Sequence, residues 1–243
     1  MLIVPAIDIF EGKCVRLCQG DYKQRTTYEV APSVIGEQFA NAGFKLLHVV
    51  DLEGAKEKRI VNWKSIESIS KINGIEVEVG GGIRTSEDIQ RLIDIGVKRV
   101  IIGSVSAKSP ELVEYWIKQF GVERIVVGMD VKNETVAVSG WLEVTHIKPV
   151  EFMLDLIKHG ARNFICTDIS RDGTLEGVNI EFFRNMRLAF PQISLFASGG
   201  ISSIEDIKAL GEIGMNGVII GKAIYEGKIS LEDLVKVSNL FSN

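Results

Sequence analysis

Two aspartates, Asp8 and Asp130, combine the side-chain type and the placement that acid–base chemistry requires. Each follows a short apolar run that predicts a buried strand, in Pro5-Ala6-Ile7-Asp8 and Val127-Gly128-Met129-Asp130. Two carboxylates facing each other across a substrate can act as general base and general acid, provided that their environments separate their pKa values. One aspartate at a strand end is more often a cap or turn residue, but the repeated pattern favours catalysis.

Glycine-rich turns indicate a second kind of chemistry, the binding of phosphate. Gly80-Gly81-Gly82-Ile83-Arg84 and Ser198-Gly199-Gly200-Ile201 each follow an apolar run and precede a polar segment typical of a helix start. Backbone N–H groups exposed at such a turn, together with the helix dipole, suit a phosphate. Glycines also serve simply to make tight turns. The presence of two copies at matching places favours phosphate binding.

Two shorter turns, Ile102-Gly103-Ser104 and Ile220-Gly221-Lys222, form a second matching pair. Arg84 and Lys222 could add positive charge, although most such side chains are solvated surface groups. Two phosphate sites on opposite sides of one opening would fit an elongated substrate with a phosphate at each end. The predicted phosphate-binding residues are Gly81, Gly82, Arg84, Gly103, Ser104, Ser198, Gly199, Gly200, Gly221 and Lys222.

Three further residues are candidates for contact with a substrate. His48 precedes Val49-Val50-Asp51 inside a predicted strand, where a packed, hydrogen-bonded histidine is the more common outcome. Trp141 follows the fifth strand and could stack on a planar ring, or it could only pack its loop against the fold. Asp168 ends the sixth strand and is predicted to lie at the same opening.

These residues need a scaffold that brings distant strand ends together. Eight short apolar runs, several without alternation, indicate strands buried on both faces, and helical spacing occurs between them. This pattern predicts an α/β fold, a (β/α)8 TIM barrel with its reactive groups at the C-terminal strand ends. An open doubly wound sheet is the alternative. The predicted strands are Leu2–Ile7, Leu46–Val50, Ile75–Val79, Arg99–Ile102, Ile125–Met129, Asn163–Cys166, Ile193–Ala197 and Gly217–Ile220.

Residues of the same type recur about half a chain apart. Asp8 and Asp130 are 122 residues apart, and Gly81 and Gly199 are 118 residues apart. Both spacings are close to half of the 243-residue chain, which is about 121 residues, so the pattern indicates that the second half repeats the first. We therefore predict a single domain over residues 1–243, built from two half-barrels of about 1–121 and 122–243.

Composition argues against several classes of protein. A formal net charge of −4 gives no indication of nucleic-acid binding. The cysteines Cys14, Cys18 and Cys166 match neither a disulfide framework nor a metal site. No apolar run approaches the roughly 18 residues of a membrane span, and no signal-peptide pattern is present. We expect a cytoplasmic monomer that binds neither nucleic acid nor a membrane.

One stretch, Cys18–Ala31, is polar and lacks a helical period. A long loop in a compact domain is often a lid or a binding loop. A mobile surface loop explains the same composition equally well.

The motifs in combination resemble the ProFAR isomerases of histidine biosynthesis, the phosphoribosylformimino-aminoimidazole-carboxamide ribotide isomerases. The resemblance spans nearly the whole chain. The segments that carry it are Pro5-Ala6-Ile7-Asp8, Gly12-Lys13-Cys14-Val15-Arg16-Leu17, His48-Val49-Val50-Asp51-Leu52, Gly80-Gly81-Gly82-Ile83-Arg84, Gly140-Trp141, Thr167-Asp168-Ile169-Ser170-Arg171-Asp172-Gly173-Thr174 and Ser198-Gly199-Gly200-Ile201.

This resemblance implies an enzyme that acts on a bisphosphorylated substrate. The implied reaction is an Amadori rearrangement, in which the aminoaldose ProFAR becomes the aminoketose PRFAR without a cofactor or a metal. By similarity, Asp8 is the general base, Asp130 is the general acid, and Thr167 supports the reaction.

Three alternatives remain open at this stage. The cyclase subunit of imidazole glycerol phosphate synthase shares the aspartate pair, but it typically has a Cys-Leu-Asp start and a lysine where Arg16-Leu17 stands here. A dual-substrate isomerase that also acts on phosphoribosylanthranilate is only weakly excluded. A non-catalytic phosphate binder would be free to lose either Asp8 or Asp130.

Overall fold

The computed structural model describes residues 1–141 and 143–241. Helices and strands alternate along the chain, with a 3-10 turn at Val122–Arg124. The strands are β1 (Leu2–Phe10), β2 (Lys13–Cys18), β3 (Asp21–Tyr28), β4 (Leu46–Asp51), β5 (Glu76–Gly80), β6 (Arg99–Ile102), β7 (Ile125–Lys132), β8 (Thr135–Val138), β9 (Glu143–Val144), β10 (Asn163–Asp168), β11 (Ser194–Ser198) and β12 (Gly217–Ile220). The helices are α1 (Pro32–Ala42), α2 (Leu52–Glu57), α3 (Trp63–Ser70), α4 (Ser86–Asp94), α5 (Ser104–Lys108), α6 (Pro110–Phe120), α7 (Pro149–Lys158), α8 (Ile180–Ala189), α9 (Ile204–Glu212), α10 (Lys222–Tyr225) and α11 (Leu231–Leu240).

Eight parallel strands close into a barrel. Their order is β1, β4, β5, β6, β7, β10, β11 and β12, and the last of these pairs with the first. The pairing of β7 with β10 completes the ring, so no open edge remains in it. The fold is therefore the predicted (β/α)8 barrel, and the open doubly wound sheet is excluded. All eight predicted strands are confirmed.

Alternate strand residues fill two separate apolar layers. Residues that point outward pack against the helices in the main core, as Val77 and Val79 do on β5. Residues that point inward fill the barrel itself. Burial on both faces explains why the strand sequences lack alternation. The inner cluster consists of Val4, Ala6, Leu46, Ile101, Val126, Ile165, Phe196 and Ile219.

The two halves of the chain repeat the same local geometry. Thr85 and Ser203, 118 residues apart, each begin a helix with a reciprocal capping box, formed with Asp88 and Asp206. Ser109 precedes α6, but its side chain makes no capping hydrogen bond. No helix in the described part of the chain is both long and apolar enough to cross a membrane.

Two antiparallel hairpins project from the barrel strands beyond the predicted strand ends. β1 and β7 continue past Asp8 and Asp130 and pair with β2 and β8. The prediction of an irregular loop over Cys18–Ala31 was wrong, because most of this segment forms β3, with Val15 paired to Thr27 and Leu17 to Arg25. Most of β3 is exposed, so its sequence shows no apolar alternation that could have indicated a strand.

Candidate active site

A cavity of about 230 Å³ opens at the C-terminal ends of the barrel strands, and residues from all eight of these strands line it. Small inward residues, Ala6, Gly80 and Gly128, leave the space, and Ile101 and Ile219 lie among its apolar lining. Every predicted site residue except Asp168 contributes to the lining. These are Asp8, His48, Gly81, Gly82, Arg84, Gly103, Ser104, Asp130, Trp141, Thr167, Ser198, Gly199, Gly200, Gly221 and Lys222.

Asp8 is held by a buried arginine that sequence reasoning did not assign to the site. Arg16 Nη1 on β2 donates to Asp8 Oδ2 at 2.7 Å, and Nη2 donates to the carbonyl of Ala6. The guanidinium carbon lies 4.5 Å from the ring centroid of Tyr225. Burial disfavours the charged guanidinium, but Asp8 and the other nearby groups outweigh burial and raise the pKa of Arg16. The arginine therefore stays charged beside Asp8.

Asp130 occupies a different environment, on the strand opposite Asp8. Burial raises the pKa of Asp130, and hydrogen bonds from the Trp141 indole and the Thr167 hydroxyl partly oppose this effect. Thr167 is the register partner of Asp130 on the neighbouring strand β10. In the described part of the chain, no Lys or Arg forms a salt bridge with Asp130. Asp130 is thus suited to hold a proton.

A third carboxylate, Asp172, also lines the cavity and was not predicted as a site residue. Burial, reinforced by the charge of Asp8, raises the pKa of Asp172 to about 7. Its backbone is tied down, because Asp172 N donates to Asp168 O at 3.0 Å and Asp172 O accepts from Gln19 N at 3.0 Å. The Arg171-Asp172-Gly173 motif, one turn after a strand end, was the available sequence signal.

The glycine turns contact the backbone of the preceding strand's end. A Cβ on Gly81 would lie 2.2 Å from the carbonyl oxygen of Asp51, and one on Gly199 would lie 2.5 Å from that of Asp168. Both glycines also have positive φ, at 96° and 93°. These glycines are therefore required for close packing and for the backbone conformation, whether or not a phosphate binds there.

Asp168 lies behind the lining, in the same place as Asp51 in the first half. Asp168 Oδ1 accepts from the backbone N of Ser170 at 3.1 Å, and Asp51 Oδ1 accepts from Gly54 N at 2.8 Å. Both carboxylates thus hold the segment that follows their own strand, a helix start after Asp51 and a loop after Asp168. The geometry gives Asp168 a local structural contact, and its assignment to substrate binding stays a prediction.

Two cationic side chains border the cavity at the glycine turns. Lys222 Nζ donates to the carbonyl of Gly173 at 2.6 Å, and Arg84 Nη1 donates to that of Ile83 at 3.2 Å. Neither forms a salt bridge with a residue that the structure describes, although Asp88 interacts electrostatically with Arg84 and Asp172 with Lys222. Ser104 Oγ accepts from the backbone N of Ser139 at 2.7 Å.

The β2–β3 hairpin contacts two loops and the first residue of α2 at the mouth of the cavity. Its turn residue Gly20 lies against the Trp141 ring, and a Cβ there would be 2.3 Å from Trp141 Cε3. Gln19 Nε2 donates to Ser170 O at 2.7 Å, and Tyr22 Oη donates to Leu52 O at 2.9 Å. The segment predicted as a lid or a surface loop therefore borders the cavity.

Of the three histidines, one lines the cavity. His48 lines the cavity, and its Nδ1 lies 2.8 Å from Glu78 Oε1. His146 and His159 are not among the lining residues. No group of three or more His, Cys, Asp or Glu side chains within residues 1–141 and 143–241 is arranged to hold a metal ion.

Comparison with known proteins places this chain in a family. The family model described as "Histidine biosynthesis protein" matches residues 2–230. The chain belongs to this family. The match covers nearly the whole chain, and it confirms the resemblance that the motifs indicated.

Curated relatives match over almost their entire length. The chain is 42% identical to a protein of Cytophaga hutchinsonii, covering 96% of this chain and 98% of the relative. It is 44% identical to proteins of Parabacteroides distasonis (96% and 98%) and Bacteroides thetaiotaomicron (96% and 97%). All three are named 1-(5-phosphoribosyl)-5-((5-phosphoribosylamino)methylideneamino) imidazole-4-carboxamide isomerase, which is ProFAR isomerase. These names do not favour the cyclase, the dual-substrate enzyme or the binder.

Proposed function

We propose that this protein is the isomerase that converts the aminoaldose ProFAR to the aminoketose PRFAR in histidine biosynthesis. The observation that carries the proposal is the placement of Asp8 and Asp130 on opposite strands of one cavity, in contrasting environments. Asp8 forms a salt bridge with a buried arginine, whereas burial raises the pKa of Asp130 and favours its protonated form. A base and an acid are thereby available at the same pH.

The steps of an Amadori rearrangement suit these two groups. The Asp130 carboxyl would donate its proton to the ring oxygen of the furanose, which opens the ring and leaves a Schiff base at the first carbon. The positive Schiff base acidifies the neighbouring C–H, and the Asp8 carboxylate would remove that proton. The resulting enolamine becomes the aminoketose when its hydroxyl loses a proton and the first carbon gains one. Thr167 and Trp141 would hold Asp130 in place.

The substrate would be bisphosphorylated and bound at both ends. Gly81, Gly82, Gly103 and Ser104 would hold one phosphate, with Arg84 adding charge. The second phosphate would bind at the matching turns of the other half-barrel, at Ser198, Gly199, Gly200, Gly221 and Lys222. The positive ends of helices and free backbone N–H groups support anion binding at such turns. Trp141 would stack on a planar ring of the substrate.

The same proposal covers the organisation of the enzyme. A single domain of two half-barrels would act as a cytoplasmic monomer and need no cofactor or metal. The matched turns and capping boxes of the two halves support the half-barrel division.

The test is turnover by the purified protein. It is incubated with ProFAR and, separately, with phosphoribosylanthranilate, without added cofactor. Conversion of ProFAR alone is the expected result. Conversion of both substrates would make the enzyme dual, and conversion of neither would refute the proposal in favour of the cyclase or a binder.

A further inference from the structure

Three charged or titratable side chains contact one another in a row that runs from the cavity wall into the barrel interior. His48, Glu78 and Arg99 are register neighbours on the adjacent strands β4, β5 and β6. His48 Nδ1 lies 2.8 Å from Glu78 Oε1, and Arg99 Nη2 lies 2.5 Å from Glu78 Oε2. The Glu78 side chain has no exposed surface, whereas 11% of the His48 side chain is exposed, in the cavity wall.

The partners of Glu78 keep it ionised. Burial would raise the pKa of Glu78, but its interactions with His48 and Arg99 outweigh burial and lower it. An ionised carboxylate only accepts hydrogen bonds, and an arginine only donates them. The proton between His48 and Glu78 must therefore lie on His48 Nδ1. The hydrogen bond on one ring nitrogen sets which nitrogen carries the proton in a neutral imidazole.

We propose that Glu78 is a positioning residue that fixes the tautomer of His48, so that Nε2 presents a lone pair to a sugar hydroxyl of the substrate. Nε2 is the second ring nitrogen of a cavity-lining residue, and it has no hydrogen-bond partner among the residues that the structure describes. This inference rests on the proposed isomerase function, because it assigns the sugar contact of that same site.

The groups around His48 support this orientation. Glu78 faces it from β5, with Arg99 behind from β6, and on β1 its register neighbour is the uncharged Ala6. Asp130, across the cavity, interacts with it electrostatically. The Arg99 guanidinium carbon lies 5.1 Å from the Phe196 ring centroid, which helps to hold Arg99 on Glu78 Oε2. The ring of His48 is thus fixed from one side only, and its other nitrogen stays free for a ligand.

A glutamine at position 78 would reverse the tautomer while keeping the shape. Arg99 donates only, so it would retain the amide oxygen of Gln and turn the amide NH2 towards His48 Nδ1. Nδ1 would then have to accept, and the proton would move to Nε2. The cavity would gain a donor where it had an acceptor.

The experiment combines nitrogen-15 NMR of the histidines with kinetics on ProFAR. At alkaline pH, where imidazoles are neutral, wild type should show the His48 proton on Nδ1, and Glu78→Gln should show it on Nε2. His48→Gln assigns the signal. We expect kcat/KM of Glu78→Gln to fall about tenfold to a hundredfold, the effect of one lost or mismatched hydrogen bond. Glu76→Gln is the matched control, since Glu76 lies on the same strand with 58% of its side chain exposed, and it should change neither reading.

Several results would overturn the proposal. A wild-type spectrum with the proton on Nε2 does so without any variant, so misfolding of Glu78→Gln leaves it testable. A tautomer reversal in Glu78→Gln with unchanged kcat/KM would also overturn it. Failure of wild type to convert ProFAR would instead refute the proposed function, and the NMR reading would still decide the role of Glu78 towards His48.

Discussion

The guanidinium of Arg16 lies 2.7 Å from the carboxylate of Asp8, and both groups are largely shielded from solvent, with 7% and 19% of their side chains exposed. The positive charge of Arg16 therefore lies directly against the Asp8 side chain. Asp130, four strands away around the ring, has hydrogen-bond donors but no salt bridge in the described part of the chain. One barrel thus holds two aspartates in opposite electrostatic settings.

This contrast makes Asp8→Asn the most direct test of the chemistry. The amide keeps the shape of the carboxylate but cannot take a proton, so kcat should fall by about 10²–10⁴-fold, the contribution of a general base. Binding of the bisphosphate, measured by calorimetry, should remain within a few-fold of wild type. Glu11→Gln, on the exposed turn of the same hairpin, is the control and should keep full activity. Normal turnover by folded Asp8→Asn would refute the assignment.

A second prediction concerns the stability of the fold as pH changes. In the folded protein the pKa of Asp172 is about 7, far above the roughly 3.9 of an unfolded Asp. The folded state therefore binds the proton more tightly, and the contribution of Asp172 to stability is largest below pH ~4 and falls as pH rises to ~7. Asn cannot ionise, so the Asp172→Asn variant does not lose this stability as pH rises. The stability of the variant relative to wild type should therefore be greater at pH 8 than at pH 5.

The measurement is urea unfolding of both proteins at the two pH values. At each pH the free energy of unfolding of wild type is subtracted from that of the variant, which cancels the contributions of the other titrating groups. This difference should be larger at pH 8 than at pH 5 by about 1 to 4 kcal/mol. Glu176→Gln, exposed in the same loop, should give the same difference at both pH values. An Asp172→Asn difference that does not change with pH would show that Asp172 titrates normally.

Sequence patterns predicted the parts of the site that depend on local order along the chain. Asp8, Asp130 and the glycine turns stand at strand ends, where the barrel topology must bring them together. Arg16 and Glu78 were not assigned to the site, because their roles depend on partners across strand pairs and on complete burial. A charged residue within an apolar run does not indicate which group neutralises it. These contacts could therefore be identified only from the structure.

The contact between Gly20 and Trp141 predicts that the hairpin and the tryptophan loop bind substrate together. Gly20→Ala would place a methyl group 2.3 Å from Trp141 Cε3 and would move the ring. We expect KM for ProFAR to rise about fivefold, as for the loss of one ring contact of about 1 kcal/mol, with a change in tryptophan fluorescence. Gly12→Ala is the matched control, because its φ of 73° is close to the 74° of Gly20 but its methyl group would meet only Ser65 Oγ at 4.0 Å. Equal effects of the two variants would trace the change to the backbone alone.

The proposed phosphate sites can be tested at Gly103 more cleanly than at Gly81 or Gly199. Gly81→Asp and Gly199→Asp should weaken binding, but their Cβ atoms would collide with backbone carbonyls, so both should also destabilise the fold. A Cβ on Gly103 meets no atom within 4 Å, although the residue lines the cavity at the start of α5. Gly103→Asp therefore adds a negative charge with little steric conflict.

We expect Gly103→Asp to weaken binding of the bisphosphate by about a hundredfold or more, since a carboxylate would face a phosphate at a few ångströms in a partly buried site. Gly103→Asn introduces the same shape and the same backbone restraint without the charge, so it should lose much less affinity. Calorimetric titration of both variants, with thermal unfolding to verify the fold, separates charge from shape. Equal affinities of the Asp and Asn variants would mean that no phosphate binds beside Gly103, and the substrate would then be anchored elsewhere.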